Sequence, residues 1–284
     1  AHYDAYRRVN RQFAERLLPL LSSDDLVWVH DYHLVPLARM LREAGARQPL
    51  GFFLHIPFPH VEALRALPVY ADIVDGLLAY DLVGFQTASD LESFRSAAVA
   101  LHGARAVNRD GSLQVGGRRT ATGVFPIGVD VEEIQHEATD ATGLEAVQRM
   151  RAGLLERRCI IGVDRLDYSK GLVDRFHCFE RFLERHPGHA NHVTFLQIAP
   201  VSRGEVKAYS ELRRSLEQTA GRINGRFADT DWTPIRYLNR NFPHDVLMGF
   251  LRTAQVALVT PMRDGMNLVA KEFIAAQDPE DPGV

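Results

Sequence analysis

Arg165 and Lys170 are the two cations of a short loop in the second half of the sequence, within the stretch IGVDRLDYSKGL. The apolar residues before the loop predict a buried strand, and the spacing of Leu172, Phe176 and Phe179 after it predicts a helix. An unpartnered cation at a helix start is unfavourable by roughly 0.3–1 kcal/mol, because that end of the macrodipole is positive. A bound anion such as phosphate reverses the sign of the interaction. For one loop alone, two solvated cations on a polar turn are the simpler interpretation.

The same pattern, a predicted strand followed by a cation at a helix start, occurs twice more. A strand predicted at 193–199 is followed by Arg203, and a strand predicted at 256–260 is followed by a helix with Lys271 near its first turn. In open parallel α/β sheets, ligands bind outside the carboxyl ends of the strands. Three cation-bearing loops along one edge therefore predict a site for an anionic ligand.

The first half of the sequence carries a different polar group of residues. WVHDYHL places His30 and Asp31 at the end of a predicted strand, and FFLHIPFP places His55 at the end of the next. Histidine and aspartate are good ligands for zinc or iron, but His30, Asp31 and His33 lie too close along one turn to converge on a metal. We therefore expect Asp31 and His55 to bind the hydroxyls of a polyhydroxylated ligand. A pair of satisfied polar groups at a sheet end is the open alternative.

The elements that position these residues alternate between strand and helix along the whole chain. This alternation predicts an α/β fold with parallel sheets. An acidic stretch with few apolar residues, at 130–142, suggests a division into two domains, 1–135 and 136–284.

Composition excludes several other classes of function. The net charge is -3 with interleaved cations and anions, so no basic face is available for nucleic acid, and no apolar run reaches the ~18 residues that a membrane span needs. Cys159 and Cys178 lack metal-finger spacing, and we expect two reduced core thiols in a cytoplasmic protein. The sequence begins without Met inside a helical pattern, so we interpret it as an internal fragment from which a targeting segment could have been lost.

Several long blocks of the sequence, in order and at their separations, resemble the trehalose-6-phosphate synthase family of retaining GT-B glycosyltransferases. The blocks are HDYHL, FFLHIPFP, GFQT, GVDRLDYSKGL, QIAPVSRG, AGRINGRF and TPMRDGMNLVAKEF. The resemblance implies two facing Rossmann-like domains, both incomplete here, with a sugar-phosphate acceptor mainly on the first and a nucleotide sugar mainly on the second. It implies no cofactor. It also implies that a Gly-rich donor loop precedes residue 1 and that further helices follow residue 284, so the fragment alone is expected to be inactive.

The resemblance assigns roles to individual residues. It implies that Arg165 and Lys170 bind the diphosphate of UDP-glucose, that Asp264 bonds the hydroxyls of the transferred glucose, and that His55 faces that glucose near the reacting carbon. The remaining donor-binding residues would be Phe242 in the uridine pocket, the backbone N–H groups of Leu268, Val269, Ala270, Lys271 and Glu272, and the Glu272 side chain on the ribose. Asp31 and Arg203 would hold glucose 6-phosphate, Arg203 through the phosphate.

The chemistry of such a site follows from charge. Cleavage of the anomeric bond builds negative charge on the departing UDP, so two fixed cations there stabilise the transition state more than the ground state. Asp229, Thr230 and Asp231 match the Asp-x-Asp metal motif of many sugar transferases, but they lie in a polar turn and not at a strand end. We therefore expect a metal-independent reaction. No carboxylate stands out as a nucleophile, and the resemblance implies reaction on one face of the sugar.

Three hypotheses follow from the sequence. The first is synthesis of trehalose 6-phosphate from UDP-glucose and glucose 6-phosphate. The second is a transfer to another phosphorylated acceptor, such as glycerol 3-phosphate in a glucosylglycerol-phosphate synthase-like enzyme, or from a GDP or ADP donor. The third is a noncatalytic regulatory subunit that binds sugar phosphates. Whether the protein forms a homo-oligomer is left open.

Overall fold

The structure is a computed structural model that describes residues 2–103, 108, 110–200 and 207–284. Its internal contacts divide the chain into two compact units, Ala1–Ile127 and Gly128–Val284. This division lies upstream of the boundary at 135/136 that we expected from the sequence. The two positions differ because the acidic stretch is not a linker. It forms a helix that packs into the core of the second unit.

The described part of the first unit contains a five-stranded sheet with helices packed on it. Four of its strands are parallel and lie side by side, and the fifth joins the edge as an antiparallel strand. The strands, in spatial order, are β1 (Val27–His30), β2 (Leu50–Leu54), β3 (Leu82–Phe85), β5 (Arg118–Val124) and β4 (Leu113–Val115). The helices are α1 (His2–Leu17), α2 (Leu37–Glu43), α3 (Val61–Arg65), α4 (Tyr70–Leu77) and α5 (Ala88–His102).

The last strand of the first unit differs from its sequence-based prediction. In the sequence, turn residues and weak alternation predict a small hairpin at 108–117, followed by a separate strand at 121–127. One strand, β5, instead pairs antiparallel with β4 at its start and parallel with β3 from Ala121 onward. Gly116 and Gly117, with φ of 56° and 79°, form the two-residue turn into this strand. Both turn positions need a positive φ, which glycine adopts without strain.

Thr87 caps the N-terminus of α5. Its hydroxyl accepts a hydrogen bond from the backbone N–H of Asp90 at 3.2 Å. We expect Thr87→Ala to lower the free energy of unfolding by about 1 kcal/mol, since one N–H at the helix start loses its partner. Ser89→Ala is the matched control, because Ser89 lies exposed inside the same first turn. Chemical denaturation measures both, and equal losses would contradict the assignment of the cap.

The second unit is built on a parallel sheet of four described strands. The strands, in spatial order, are β8 (Ile235–Leu238), β7 (Val193–Ile198), β6 (Arg158–Val163) and β9 (Val256–Ala257). The helices are α6 (Val131–Asp140), α7 (Glu145–Leu154), α8 (Leu172–Arg185), α9 (Lys207–Phe227), α10 (His244–Thr253) and α11 (Leu268–Ala276). The predicted α/β fold with parallel sheets is therefore confirmed.

Two apolar clusters hold the second unit together. One includes Ile161 and Leu196 with α6, α10 and α11, and the other includes Phe176 and Phe195 with α8 and α9. The acidic stretch that we interpreted as a boundary forms α6, whose Ile134 and Ala138 are buried in the first of these clusters. Its acidic residues lie on the exposed face of an amphipathic helix.

The two cysteines have different environments. Cys159 is buried in β6, and burial raises the pKa of its thiol to about 12. Cys178 is exposed on α8, so the expectation of two core thiols was wrong for this residue. Helical periodicity explains the exposure of Cys178. Phe176 and Phe179 form the buried face of α8, and a residue two positions after Phe176 lies on the other side of the helix. None of the helices in the described part of the chain combines the length and apolar character that crossing a membrane requires.

Candidate functional site

The loop after β6 and the loop after β9 meet through an ion pair. Lys170 Nζ lies 2.6 Å from Asp264 Oδ2, and the two side chains are 14% and 24% exposed. The loops come together because β6 and β9 are neighbouring parallel strands, whose carboxyl ends share one edge. Lys170 therefore has a carboxylate partner within the second unit. Our argument that it needs a bound anion to offset an unpartnered charge was wrong.

Gly171 allows this loop to pass close to the β9 edge. It has a positive φ of 62°, and a Cβ there would lie 2.9 Å from the carbonyl oxygen of Thr260. The backbone N–H of Met262 donates to the carbonyl of Ser169 at 2.8 Å. The segment that carries Lys170 is thus tied by its backbone to the segment that carries Asp264.

Asp167 holds the first turn of the Lys170 loop. Its carboxylate accepts hydrogen bonds from the backbone N–H and the hydroxyl of Ser169, at 2.9 and 2.8 Å. Burial acts to raise the pKa of Asp167, but the bonds from Ser169, the nearby Arg165 and the hydroxyl of Tyr209 together outweigh it, and the pKa lies below its ordinary value. Asp167 is therefore an anion that orders the loop from within.

The start of α11 has fewer open backbone donors than the sequence suggested. Asn267 Oδ1 already accepts the N–H of Ala270 at 3.0 Å. In a helix that begins at Leu268, the N–H groups of Lys271 and Glu272 bond to carbonyls one turn back. Of the five N–H groups expected to bind a ligand, only those of Leu268 and Val269 have no hydrogen-bond partner among the residues that the structure describes.

Arg165 and Phe242 border a common cavity of about 180 Å³ at the carboxyl ends of β6 and β7. Arg165 is exposed, whereas Phe242 is packed edge-on against Phe250 with ring centroids 5.1 Å apart. The guanidinium of Arg240 lies 4.3 Å from the centroid of the Phe242 ring. The other residues around this cavity are Val163, Asp164, Ile198, Pro200, Arg240, Asn241, Leu247 and Val269. The cavity thus combines an apolar wall with cations at its rim.

Glu272 is a half-buried carboxyl on α11. Burial raises its pKa above the ordinary value of 4.5, and the nearby His244 opposes that shift. His244 is itself bonded through Nδ1 to Glu137 at 2.6 Å. Glu272 is therefore a carboxyl that a hydrogen-bonding ligand would stabilise in its charged form.

Sequence reasoning missed a buried polar cluster behind this site. Asp164, Arg175 and Gln197 are all less than a tenth exposed and are bonded to one another. Arg175 occupies the inward stripe of α8 between Leu172 and Phe179, where the spacing predicts an apolar residue. A cation at such a position was the signal that could have revealed the cluster.

His30 and His55 lie on one face of the sheet of the first unit. His30 Nδ1 is 2.9 Å from His55 Nε2, and both rings border a mostly apolar cavity of about 590 Å³ that also includes Trp28 and Phe125. Asp31, with φ of 70°, accepts the backbone N–H of His55 at 3.3 Å through Oδ1. Asp31 and His55 are therefore neighbours, as their strand-end positions predicted. A positive φ at aspartate is a strained backbone that often marks a functional site.

The other predicted residues need separate statements. Arg203 lies outside the described residues. Asp231 of the Asp-x-Asp sequence bonds the buried Arg157 at 2.6 Å, at the amino ends of the strands and away from Lys170. Within the described ranges, no three His, Cys, Asp or Glu side chains lie close enough together to hold a metal ion.

Comparison with known protein families identifies the family of this chain. A model described as Glycosyltransferase family 20 matches residues 1–283. The chain belongs to glycosyltransferase family 20. The family that the sequence blocks indicated is thereby confirmed.

Relatives of this family 20 chain share its fold and about half of its residues. The trehalose-6-phosphate synthase of Enterobacter sp. (strain 638) is 48% identical over 285 residues, covering 99% of this chain and 59% of that protein. The alpha,alpha-trehalose-phosphate synthase (UDP-forming) from Burkholderia xenovorans, in complex with glucose-6-phosphate, has a TM-score of 0.95 at 49% identity, covering 99% of this chain and 63% of that one. A structure described as trehalose-6-phosphate from E. coli, bound with UDP-2-fluoro glucose, has a TM-score of 0.93 at 47% identity, with coverages of 99% and 62%. The family 20 chain therefore spans about three fifths of the length of these relatives.

Glu272 gives this family 20 site a testable pH dependence. Because its pKa is raised in the folded state, the folded chain holds the proton to a higher pH than the unfolded chain does. As the pH rises from 4.5 through the raised pKa, the unfolded state ionises first and the free energy of unfolding falls. We expect Glu272→Gln to remove this decrease, as measured by denaturation across that pH range. Parallel pH profiles for the two proteins would contradict the expectation.

Proposed function

We propose that the polypeptide carrying this chain is a retaining glucosyltransferase. It moves glucose from UDP-glucose to glucose 6-phosphate and releases UDP and alpha,alpha-trehalose 6-phosphate. The proposal is supported by the Burkholderia xenovorans relative in complex with glucose-6-phosphate and by the E. coli relative bound with UDP-2-fluoro glucose. Because the chain spans only part of these relatives, its own substrates are to be tested directly.

The observation that carries the proposal is the Lys170–Asp264 pair, which lies at the same carboxyl edge of the sheet as the cavity bordered by Arg165. A nucleotide diphosphate is a dianion or more, and one lysine already paired with a carboxylate does not neutralise it. Arg165 supplies the second cation from the exposed rim of the same edge. A diphosphate placed between them would accept hydrogen bonds from both, and charge-assisted bonds of this kind are about twice as strong as neutral ones.

The reaction needs this charge most at the moment the anomeric bond breaks. Electrons move onto the glycosidic oxygen of UDP, so its negative charge grows while positive charge develops on the sugar ring. Lys170 and Arg165 stabilise the growing negative charge, and they do so without reorganising because the fold already fixes their loops. Asp264 holds Lys170 in place and can accept a bond from a glucose hydroxyl through its second oxygen.

The rest of the donor would use the neighbouring groups of the second unit. Phe242 and the apolar wall of the small cavity suit a flat base, and the open N–H groups of Leu268 and Val269 suit phosphate oxygens at a helix N-terminus. Glu272 would accept bonds from the ribose hydroxyls. These contacts bind substrate and transition state alike, so they act on donor affinity more than on the chemical step.

The acceptor side is assigned to Asp31 and Arg203, with His55 next to the reacting sugar. Asp31 is a carboxylate on a strained strand end and can accept bonds from glucose hydroxyls. Arg203 would bind the acceptor phosphate. We further propose that the reaction needs no metal, because Arg165 and Lys170 supply the charge at the leaving group. Its two phosphorylated substrates favour a cytoplasmic location.

The test is an assay of UDP release with the full reading frame that encodes this chain, with the 284-residue chain in parallel. Donors are UDP-, GDP- and ADP-glucose, and acceptors are glucose 6-phosphate and glycerol 3-phosphate. Release that requires UDP-glucose and glucose 6-phosphate together supports the proposal. Release with glycerol 3-phosphate or another donor identifies a related transferase, and binding without release identifies a regulatory subunit. Either result overturns the proposal.

A further inference from the structure

Arg175 is an almost fully buried cation on the second turn of α8. Its side chain is 1% exposed, and the side chain of its partner Asp164 is 3% exposed, with Nη1 and Oδ2 2.6 Å apart. The same Nη1 lies 2.9 Å from Gln197 Oε1, and Nε donates to Thr260 Oγ1 at 2.8 Å. The guanidinium also reaches the carbonyl oxygen of Lys170, with Nη2 at 3.5 Å. Arg175 thus bonds four residues from three segments of the second unit.

These four partners share one location, the carboxyl edge of the sheet. Asp164 follows β6, Gln197 is near the end of β7, Thr260 follows β9, and Lys170 lies in the loop after β6. Because the guanidinium is planar and rigid, bonds in several directions fix the relative positions of its partners. One side chain therefore connects the ends of three neighbouring strands to the back of the loop that carries Lys170.

The backbone of β6 at Gly162 lies directly against this guanidinium. A Cβ at Gly162 would lie 2.7 Å from Arg175 Nη1 and 2.4 Å from Gln197 Oε1. Only a residue without a side chain allows the arginine to lie on the backbone of β6. The glycine at position 162 therefore leaves the space beside β6 that the Arg175 guanidinium occupies.

The cluster costs the fold desolvation of two charges, which an apolar core of the same shape would avoid. Such a cluster suggests a role other than stability alone. The contacts of Arg175 indicate what that role is. Arg175 bonds the loop that carries Lys170 and the loop that leads to Asp264, and these two side chains form an ion pair. Thr260 is part of the segment that leads to Asp264, and Lys170 is bonded at its own carbonyl.

We propose that Arg175 is a positioning residue that sets Lys170 and Asp264 in the geometry that binds the leaving diphosphate. It does not contact the ligand itself. The identity of that ligand rests on the function proposed above, whereas the positioning of the two loops does not.

The test compares Arg175→Lys with Arg157→Lys in the full-length protein. Arg157 is a matched control because its side chain is 6% exposed and it pairs with Asp231 at 2.6 Å, but at the amino edge of the same sheet. Thr260→Val removes one bond to Arg175 with little change of shape, and it serves as a second, milder variant. Hydrogen–deuterium exchange reports on the loops 165–172 and 258–266, and calorimetry with UDP reports on the site.

We expect Arg175→Lys to speed exchange in both loops and to weaken UDP binding by about tenfold, the loss of one hydrogen bond to a charged group. Thr260→Val should act in the same direction with a smaller effect, and the KM for glucose 6-phosphate should not change. Arg157→Lys should speed exchange in neither loop. Equal exchange in the two lysine variants would overturn the proposal. If the unsubstituted protein did not bind UDP, the proposed function would fail, and the exchange data would still decide the role of Arg175.

Discussion

Replacing Lys170 by alanine is expected to lower the rate of glucose transfer by about 10²–10³-fold, the usual loss when one preorganised donor to a developing negative charge is removed. The substitution removes a cation from the leaving diphosphate. It also leaves Asp264, which lies 2.6 Å from Lys170 Nζ, as an unpaired carboxylate that repels the same diphosphate. Both changes act on kcat with UDP-glucose. Steady-state measurement of UDP release gives kcat, and the KM for glucose 6-phosphate is expected to stay the same.

Arg185→Ala is the matched control for Lys170→Ala. Arg185 lies in the last turn of α8, the helix that begins just after Lys170, and its side chain is exposed. The substitution also removes one positive charge, but at the far end of the helix from Lys170. A transfer rate for Lys170→Ala equal to that of Arg185→Ala would show that Lys170 does not act at the leaving group.

Replacing Asp164 by alanine is expected to lower the free energy of unfolding by about 3–5 kcal/mol, the usual cost of leaving a buried cation without its partner. Arg175 would keep its bonds to Gln197 and Thr260 but would lose its only charged partner among the described contacts. Burial raises the pKa of Asp164. Arg175 opposes that rise, because it stabilises the charged form of the carboxyl group. Denaturant unfolding at neutral pH measures the loss.

Asp231→Ala provides the comparison for Asp164→Ala. Asp231 pairs with the buried Arg157, but its own side chain is 56% exposed and Arg157 also bonds Asn191. Water can replace the lost carboxylate there, so we expect a smaller loss of stability. A loss for Asp164→Ala no greater than for Asp231→Ala would contradict the view that the Asp164–Arg175 pair is a buried charge cluster.

The order of strands and helices followed from the sequence because each element carries its own periodic pattern. β6 and α8 were predicted from Ile161, Leu172 and Phe176, and all three are buried as expected. The merged strand β5 was not predicted, because its two ends pair with different partners. Pairing partners are set by tertiary contacts that local alternation does not encode.

The sequence predicted which residues lie near the candidate site better than it predicted which of them contact one another. The strand-end argument placed Arg165 and Lys170 at one edge of a parallel sheet, whereas Asp264 was named only through the family resemblance. That Lys170 is paired with Asp264 did not follow, since the two residues are far apart in sequence and nothing local links them. The same holds for Arg175, which bonds residues from three strands that only the folded sheet brings together.

The start of α11 shows the same limit at a single residue. The sequence identified a helix N-terminus after Asn267, and that element is confirmed. The number of free N–H groups depends on whether the Asn267 side chain turns back to cap the helix, which it does at Ala270. A capping side chain and a ligand compete for the same backbone N–H donors. The sequence alone therefore overestimated the number of donors available to a ligand.

A crystal structure of the protein with UDP tests the central idea most directly. The account predicts that the Lys170 ammonium and the Arg165 guanidinium each lie about 3 Å from an oxygen of the diphosphate, at hydrogen-bonding distance. UDP bound elsewhere, or bound with both of these side chains directed into solvent, would contradict it.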